Sequence, residues 1–571
     1  MIRWTDLLRS APWVLGLALL LATVSEAHEV RRRRSVSLGQ VLSQGSCGVL
    51  LNIGMSLFSA GLLLAARAWP GRVIWGGMSL FYAGRPLWHW RKCLRQAEPP
   101  PSYQAARSSP MASEDIRNPG RLAAWRDRLG LVEALVVGFT APILWFPDLR
   151  PGLTIGALLL LALIWLAVAL VERSLWPCSA YDVALAVLLF MATVGAVVSA
   201  VPELTTPKAT GLVLGVAVYR LVLRIARNPP SLRRCVYGML ALALAFAIVG
   251  LAFGELTTKI PVLAEYRKRL PTFSQALPGT QRGRVSTNQV AGTLLYVLPM
   301  GLALVLIPRR REANDWSLSR GGWVATGVVT ALLAAALLLT QSRGAWVGML
   351  AGILWIIALN WRWGRWALLV ILAAFAGWLL WVRPSFSTLL SQIVPGPTGT
   401  FNSRIGIWAR AISYIQDCPF TGYGLGSFRA VDTLFHGPGL TGAPGIITSS
   451  TASVFDVGVP HAHNFALQTA YDLGVPGLVA YLALLFLALW MCWRIYRHGR
   501  GVPRALGIGC QSALIAYHVY GLTDVVAMGA KPGVLWWALL ALIAALHRLV
   551  PLRECVETKE QPLGRGSAEQ P

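Results

Sequence analysis

Charged residues are scarce in this 571-residue chain: Asp, Glu, Lys and Arg make up 13% of it, and only 25 residues are acidic. An ordinary soluble domain carries roughly twice that share of charge. The eight cysteines include no Cys-x-x-Cys pair and no Cys/His cluster at metal-ligand spacing. The glycine-rich run 422–426 lacks the strand-to-helix context of a nucleotide-binding loop. These absences argue against an ordinary soluble domain, a zinc module and a nucleotide fingerprint.

Hydrophobic residues, by contrast, form 55% of the chain, which has 24 tryptophans and a mean hydropathy of +0.56. A membrane span needs about 20 mostly apolar residues. Candidate spans lie near 47–67, 71–90, 131–148, 152–172, 180–202, 207–227, 235–254, 286–307, 322–341, 344–361, 366–382, 472–494, 505–526 and 533–550. The sequence therefore predicts an all-α fold, a polytopic integral membrane helical bundle of about 12–15 transmembrane helices with a large, partly helical periplasmic loop.

Basic residues outnumber acidic ones by 51 to 25, which gives a net charge of +26. They fall mostly in short links between apolar runs, as in the cytoplasmic loops of membrane proteins, so we expect no nucleic-acid partner. Segment 15–27 resembles a signal-peptide core, but four arginines follow it instead of a cleavage site. It is predicted to be a retained anchor or a short first helix.

Five regions follow from these assignments. They are N-terminal membrane segments with a basic cytoplasmic linker (1–130), a transmembrane bundle (131–382), a periplasmic loop (383–463), C-terminal transmembrane helices (464–550) and a cytoplasmic tail (551–571).

Two of the outer links are long, and long loops are commonly functional. Link 255–288 carries six cations on the face expected to have few: Lys259, Arg267, Lys268, Arg269, Arg282 and Arg284. Either a long loop crosses the membrane regardless of charge, or these cations bind an anionic substrate or lipid headgroup.

The second long link, 383–463, is predicted to contain a helix. Asn402 and Ser403 are suited to cap a helix that runs to about Gln416, with an apolar side formed by Ile405, Trp408, Ile412 and Ile415. The glycine-rich segment 418–428 then permits tight turns. An amphipathic helix lying on the outer surface would form a lid or wall over a membrane cavity.

Three polar clusters are predicted to converge on the outer side. Arg343 lies in a short turn between two spans, Arg404 begins the surface helix, and His463 precedes the next span. Arginine binds phosphate oxygens bidentately, and histidine exchanges a proton near neutrality. Such residues suit a phosphate-bearing, lipid-linked substrate.

Each cluster also has a simpler interpretation. Arg343 fits a side chain that snorkels at a helix end. Arg404 fits an ion pair with Asp417 or with a lipid phosphate, and His463 fits a helix cap. Three further histidines are predicted to be structural: His436, His461 and His518.

The motif His463-Asn464, nine residues, Gly474, two residues and Gly477 resembles the signature of the O-antigen ligase and O-antigen polymerase superfamily of bacterial envelope glycosyltransferases. Segments 288–292, 342–346, 404–408 and 419–428 fit the same pattern in the same order. The resemblance covers roughly residues 285–526.

This resemblance implies an enzyme without a cofactor: a metal-independent, inverting transfer of a glycan from an undecaprenyl-diphosphate-linked donor. The acceptor would be a hydroxyl of lipid A-core or of a glycan, on the periplasmic face of the bacterial inner membrane, among membrane lipids. His463 would be the catalytic base, and Arg343 and Arg404 would bind the diphosphate. The supporting candidates are Asn288, Ser342, Tyr423, Asn464 and Gly474. The outer loops show no acidic pair for a metal.

We favour an O-antigen ligase. A polymerase that joins repeat units of O-antigen or exopolysaccharide would share the fold, and ligation to protein is a third alternative. A transporter of lipid-linked sugars belongs to a different class and would need polar residues along a transmembrane path and repeat symmetry. Neither is evident in the sequence.

Overall fold

The computed structural model of the chain describes residues 4–34, 37–43, 45–66, 68–95, 119–174, 176–254, 260–269, 285–307, 316, 318–361, 363–382, 399–436 and 459–550. Most of the predicted cytoplasmic linker, the C-terminal tail and two parts of the predicted outer loop 383–463 lie outside these residues, as do Lys259, Arg282 and Arg284.

The described residues form helices and no strand, which confirms the all-α prediction. In chain order the helices are α1 Trp4–Arg34, α2 Leu38–Ser43, α3 Gly45–Ala65, α4 Trp69–Arg95, α5 Pro119–Trp145, α6 Pro151–Glu172, α7 Asp182–Val198, α8 Pro202–Ile225, α9 Pro229–Phe253, α10 Pro261–Arg269, α11 Thr287–Leu294, α12 Leu298–Leu306, α13 Arg320–Leu339, α14 Arg343–Asn360, α15 Gly364–Val382, α16 Gly399–Asp417, α17 Phe428–His436, α18 Phe465–His498, α19 Gly501–Gly521 and α20 Val534–Leu549.

Ten candidate spans in the described part of the chain are long and apolar enough to cross a membrane, so the protein is a polytopic membrane protein. Two expectations are refined. The first helix is not short but extends over 31 residues, α1, and its part Arg9–Arg33 is long and apolar enough for a retained anchor. The predicted span 286–307 is present as the candidate span Thr287–Leu306, but it consists of two helices, α11 and α12, because Pro299 in the first turn of α12 has no N–H to continue the hydrogen-bond ladder.

The centre of the bundle is formed by α18, α19 and α20. Helix α20 packs against α8, α18 packs against α7 and α1, and α19 packs against α12 and α14. Side chains of α20 are buried on all sides, as expected for an apolar helix with neighbours all round. Peripheral helices such as α6 expose large leucines, which suits a lipid-facing surface.

Chain direction gives the bundle two distinct ends. Helix α18 runs towards Arg497 and the basic link 499–504, and α19 returns from that link to its last residue, Gly521. The segments just before α18 and just after α19 therefore lie at one end, opposite the basic link. Buried ion pairs hold the basic end together, including Arg494 with Glu26 at 3.3 Å and Arg220 with Glu133 at 2.8 Å.

Candidate active site

The predicted surface helix is present as α16, but its details differ from the prediction. It begins at Gly399, so Asn402 lies inside the first turn rather than at the cap. Its buried side is Ile407, Ala411 and Tyr414, and the predicted stripe of large apolar residues is only half-buried. A search for large apolar residues at helical spacing does not find Ala411, whose small side chain permits close packing. It also does not find Tyr414, whose hydroxyl donates a hydrogen bond to Asp432.

Helix α16 is joined to α17 by a two-point ion pair. The Arg410 guanidinium donates from Nε to Asp432 Oδ1 at 2.6 Å and from Nη2 to Asp432 Oδ2 at 3.2 Å. Bidentate pairing of this kind orients both side chains. The Arg410 guanidinium is therefore engaged by Asp432 and holds α16 and α17 together as the wall of the site.

The glycine-rich segment 418–428 docks on a kink in α18. Gly474 has φ of 69° and ψ of 176°, a conformation essentially restricted to glycine. The Val475 N–H donates to Pro419 O at 2.7 Å, and the Tyr423 N–H donates to Tyr471 O at 2.8 Å. The Tyr423 ring stacks on Tyr471 with centroids 5.2 Å apart. Two of the supporting candidates, Tyr423 and Gly474, thus shape this junction.

The turn before α18 places the motif histidines. Asn464 caps the helix, since its Oδ1 accepts from Ala466 N at 3.0 Å and Leu467 N at 3.1 Å. Its Nδ2 donates to Leu522 O at 3.1 Å and so holds the turn against the end of α19. His463 has φ of +50°, one of three positive-φ residues other than glycine in the described chain. A non-glycine residue in this region stores strain, which is often found at functional sites.

A buried carboxylate, Asp524, lies at the centre of the site and is only 3% exposed. On one oxygen, Oδ1, it faces His463 Nδ1 at 3.2 Å and accepts from Val525 N at 2.8 Å. On the other, Oδ2, it accepts from Asn288 Nδ2 at 2.9 Å and lies 4.0 Å from Arg404 Nη2. Elements distant in sequence thus meet at a single carboxylate.

Hydrogen bonds assign the protons on the two histidines. The backbone N–H of His463 donates to His461 Nδ1 at 3.3 Å, so the ring proton of His461 is on Nε2. This Nε2 atom lies 3.8 Å from Asp524 Oδ1. For His463, donation from Nδ1 to Asp524 leaves the lone pair on Nε2. This is the tautomer that a general base requires.

Burial and hydrogen bonding set the charges in the cluster. Burial alone would raise the pKa of Asp524, but the hydrogen bond from His463, the charge interactions with His461 and His463 and the hydrogen bond from the Val525 N–H together outweigh burial and lower it to about 2. Burial, with the adjacent His463 ring acting in the same direction, lowers the pKa of His461 to about 3. Near neutral pH the site thus contains an ionised carboxylate and a neutral His461.

The predicted cations have different surroundings. Arg404 is paired with Asp524 and not with Asp417, which is at the far end of the same helix. Arg343 is the first residue of α14, and a Cβ added to Gly344 would lie 2.8 Å from Thr523 Oγ1. The first turn of α14 is therefore next to the segment that carries Asp524. Ser342 is buried at the N-cap of α14 and makes no side-chain capping bond.

Of the described cations in the link 255–288, Arg267 is structural. Its Nη2 donates to the carbonyls of Leu251 and Gly254 at the end of α9, where a cation is favoured by the helix dipole. Lys268 and Arg269 are exposed and lie within 4.0 Å of Glu265.

His461, His463 and Asp524 also form a group whose ligand atoms lie within 4.8 Å of one another, as a metal site would require. The sequence did not show this group because Asp524 is far from the histidines. The same atoms are also joined by direct contacts: the backbone N–H of His463 donates to His461 Nδ1, and His463 Nδ1 lies 3.2 Å from Asp524 Oδ1.

Residues 461–464, the turn before α18, are called the histidine turn. Behind it lies a small cavity of about 20 Å³, whose lining includes the polar residues Gln468, Thr469 and Asp472. Such a volume holds about one water molecule, whereas ligand pockets typically measure hundreds of Å³. This cavity is therefore too small to hold a ligand larger than a water molecule.

Asp524 and the part played by His461 were missed in the sequence. The available signal was an acidic residue at the end of a predicted span, in a chain with few acids, where an ionisable group is costly to retain.

Comparison with known proteins covers the part of the chain that carries most of these motifs. Residues 328–482 match the family described as O-antigen ligase. Over 180 residues the chain is 27% identical to the general O-oligosaccharyltransferase of Acinetobacter baylyi, a match that covers 29% of this chain and 28% of that protein. The matched family segment contains Arg343, Arg404 and His463. The resemblance predicted from the sequence is confirmed as a similarity: residues 328–482 match the O-antigen ligase family.

Proposed function

We propose that the protein is a membrane glycosyltransferase that moves a glycan from an undecaprenyl-diphosphate donor to an acceptor hydroxyl on the outer face of the bacterial inner membrane, as an O-antigen ligase. The observation that supports this most is the meeting of His463 and Arg404 at Asp524, at the end of the bundle opposite the basic link. Short basic links are enriched on the cytoplasmic side of membrane proteins, which supports an outer-face position for this site.

His463 acts as the general base in the proposed reaction. Asp524 holds the ring with its Nδ1 protonated, so Nε2 accepts the proton of the acceptor hydroxyl. As that proton leaves, the acceptor oxygen forms a bond to the anomeric carbon. The bond from that carbon to the diphosphate oxygen breaks on the opposite face, so the configuration inverts.

Arg404 and Arg343 stabilise the diphosphate that departs. The positive end of the α14 dipole lies at its first residue, Arg343. An anion at this end is therefore stabilised by both the Arg343 guanidinium and the helix dipole. Arg404 approaches from α16 with its charge only partly offset by Asp524 at 4.0 Å. Positioned cations that meet developing charge are a large source of rate acceleration.

Purified full-length protein, supplied with an undecaprenyl-diphosphate-linked glycan and an acceptor, tests the proposal. We expect glycan transfer by the wild type and a loss of roughly 10³-fold or more in His463→Ala. The matched control is His518→Ala, because the His518 ring forms its hydrogen bonds with Tyr481 and Leu514, inside the bundle. Full activity of His463→Ala would rule out His463 as the general base. An inactive wild type would rule out the proposed glycan transfer.

A second candidate is O-oligosaccharyl transfer, the activity in the name of the Acinetobacter baylyi relative. The acceptor would then be a glycan or a protein instead of lipid A-core. Cells lacking the gene separate the alternatives. Loss of an O-antigen ligase leaves long lipid-linked chains, loss of a polymerase leaves single repeat units, and loss of a protein glycosylation enzyme removes glycoprotein staining.

A further inference from the structure

Two polar residues of α18, Gln468 and Asp472, are buried beside the site and are not used in the chemistry above. Each is only 2% exposed. They lie one helical turn apart, and Gln468 Nε2 donates to Asp472 Oδ1 at 2.9 Å. Burial of an amide and a carboxylate is costly unless both are bonded.

The pair connects the two segments that border the site. Gln468 Oε1 accepts from the Ala462 N–H at 2.7 Å, in the middle of the histidine turn. Asp472 Oδ1 accepts from the Gly426 N–H at 3.3 Å, in the glycine-rich segment that follows α16. One buried linkage therefore joins the turn that carries His463 to the segment leading from the helix that carries Arg404.

The histidine turn needs such support because of its backbone. A left-handed residue other than glycine costs about 1–2 kcal/mol and persists only where its surroundings hold it. His463 has this conformation at φ +50°, and the Ala462 N–H immediately before it is held by Gln468. Release of that bond would let the turn relax and would move the imidazole away from Asp524.

We infer that Gln468 and Asp472 are positioning residues for the proposed reaction: they hold the left-handed turn at His463 so that its ring keeps its bond to Asp524. This inference rests on the proposed function. A displacement of about 1 Å in a catalytic group lowers turnover by roughly 10²-fold. The linkage thus acts on kcat, because it touches neither donor nor acceptor.

Steady-state kinetics of purified full-length variants tests the inference. Gln468→Leu is expected to lower kcat by roughly tenfold to hundredfold, with KM for the donor unchanged within about twofold. The matched control is Thr469→Val on the same helix, since Thr469 Oγ1 bonds only to Phe465 O within α18. It should leave kcat near the wild-type value. A loss in Gln468→Leu no larger than in Thr469→Val, or a parallel rise in KM, would overturn the inference.

A second pair of variants applies if Gln468→Leu does not fold. Asp472→Asn keeps an oxygen that accepts from Gln468 and Gly426 and should retain most of kcat, whereas Asp472→Ala should lose as much as Gln468→Leu. Equal kcat in the two Asp472 variants would contradict the inference. If His463→Ala is inactive but neither Gln468 nor Asp472 affects kcat, the inference alone fails. If His463→Ala is fully active, the proposed function fails.

Discussion

His463 Nδ1 and Asp524 Oδ1 lie 3.2 Å apart although 61 residues separate them in the chain. The carboxylate gives the imidazole one orientation and one tautomer. This relationship turns a histidine that precedes a helix cap into a candidate general base, and it leads to the first prediction.

Asp524→Asn should lower kcat by roughly 10²- to 10⁴-fold while the protein still inserts and folds. An amide can donate to His463 Nδ1, which favours the tautomer with a protonated Nε2 and removes the lone pair that accepts the acceptor proton. Asp432→Asn is the matched control, because Asp432 is also buried and arginine-paired but belongs to the wall. Its kcat should stay within a few-fold of the wild type, and equal losses in the two variants would refute the role of Asp524.

Arg404→Lys should reduce kcat/KM by roughly tenfold to hundredfold, because an ammonium cannot replace the two-point contact of a guanidinium with phosphate oxygens. Arg410→Lys on the same helix is the comparison. It should lower thermal stability through its bond to Asp432 while donor turnover changes little. Similar turnover in the two variants would remove Arg404 from the proposed diphosphate site.

Gly474→Ala should destabilise the protein by more than about 2 kcal/mol. Its backbone conformation is restricted to glycine, and an added Cβ would lie 2.4 Å from Phe420 O. Gly156→Ala in α6 is the control, since no atom lies within 4 Å of its added Cβ and alanine is the better helix former. Thermal unfolding in detergent should separate the two variants, and an unchanged midpoint in Gly474→Ala would contradict the observed junction.

His461 should make the protein less stable in acid. Its folded-state pKa of about 3 is below the ordinary value of 6.5, so the fold favours the neutral ring. This contribution is complete above pH 6.5 and is lost as the pH falls towards 3.

Between about pH 6 and pH 4 the free energy of unfolding of the wild type should therefore fall faster than that of His461→Gln, by up to about 1.4 kcal/mol per pH unit. The lowered pKa of Asp524, about 2, affects stability in a separate window, from about pH 4 downwards. Chemical denaturation at several pH values measures the difference. Parallel pH dependence in the two proteins would show that His461 is not held neutral by the fold.

Local pattern was sufficient for some features of the site and misleading for others. The spacing of His463 to Gly474 and Gly477 identified the histidine turn, and the left-handed backbone at Gly474 explains why glycine is present there. The stripe of large apolar residues did not reveal the protein-packed side of α16, because burial of Ala411 and Tyr414 depends on which neighbour the helix meets. The cap at Asn402 was wrong since the helix begins three residues earlier.

The sequence by itself determined the membrane bundle, its basic end, and the order of the motifs that carry Arg343, Arg404 and His463. Hydropathy and charge are local properties, and a membrane requires helices wherever apolar runs are long enough. The tertiary structure alone decided that Asp524 is the partner of His463 and that Asn288 reaches the same carboxylate from 236 residues away. No periodicity records such contacts, because they arise only when helices from different parts of the chain pack at one end of the bundle.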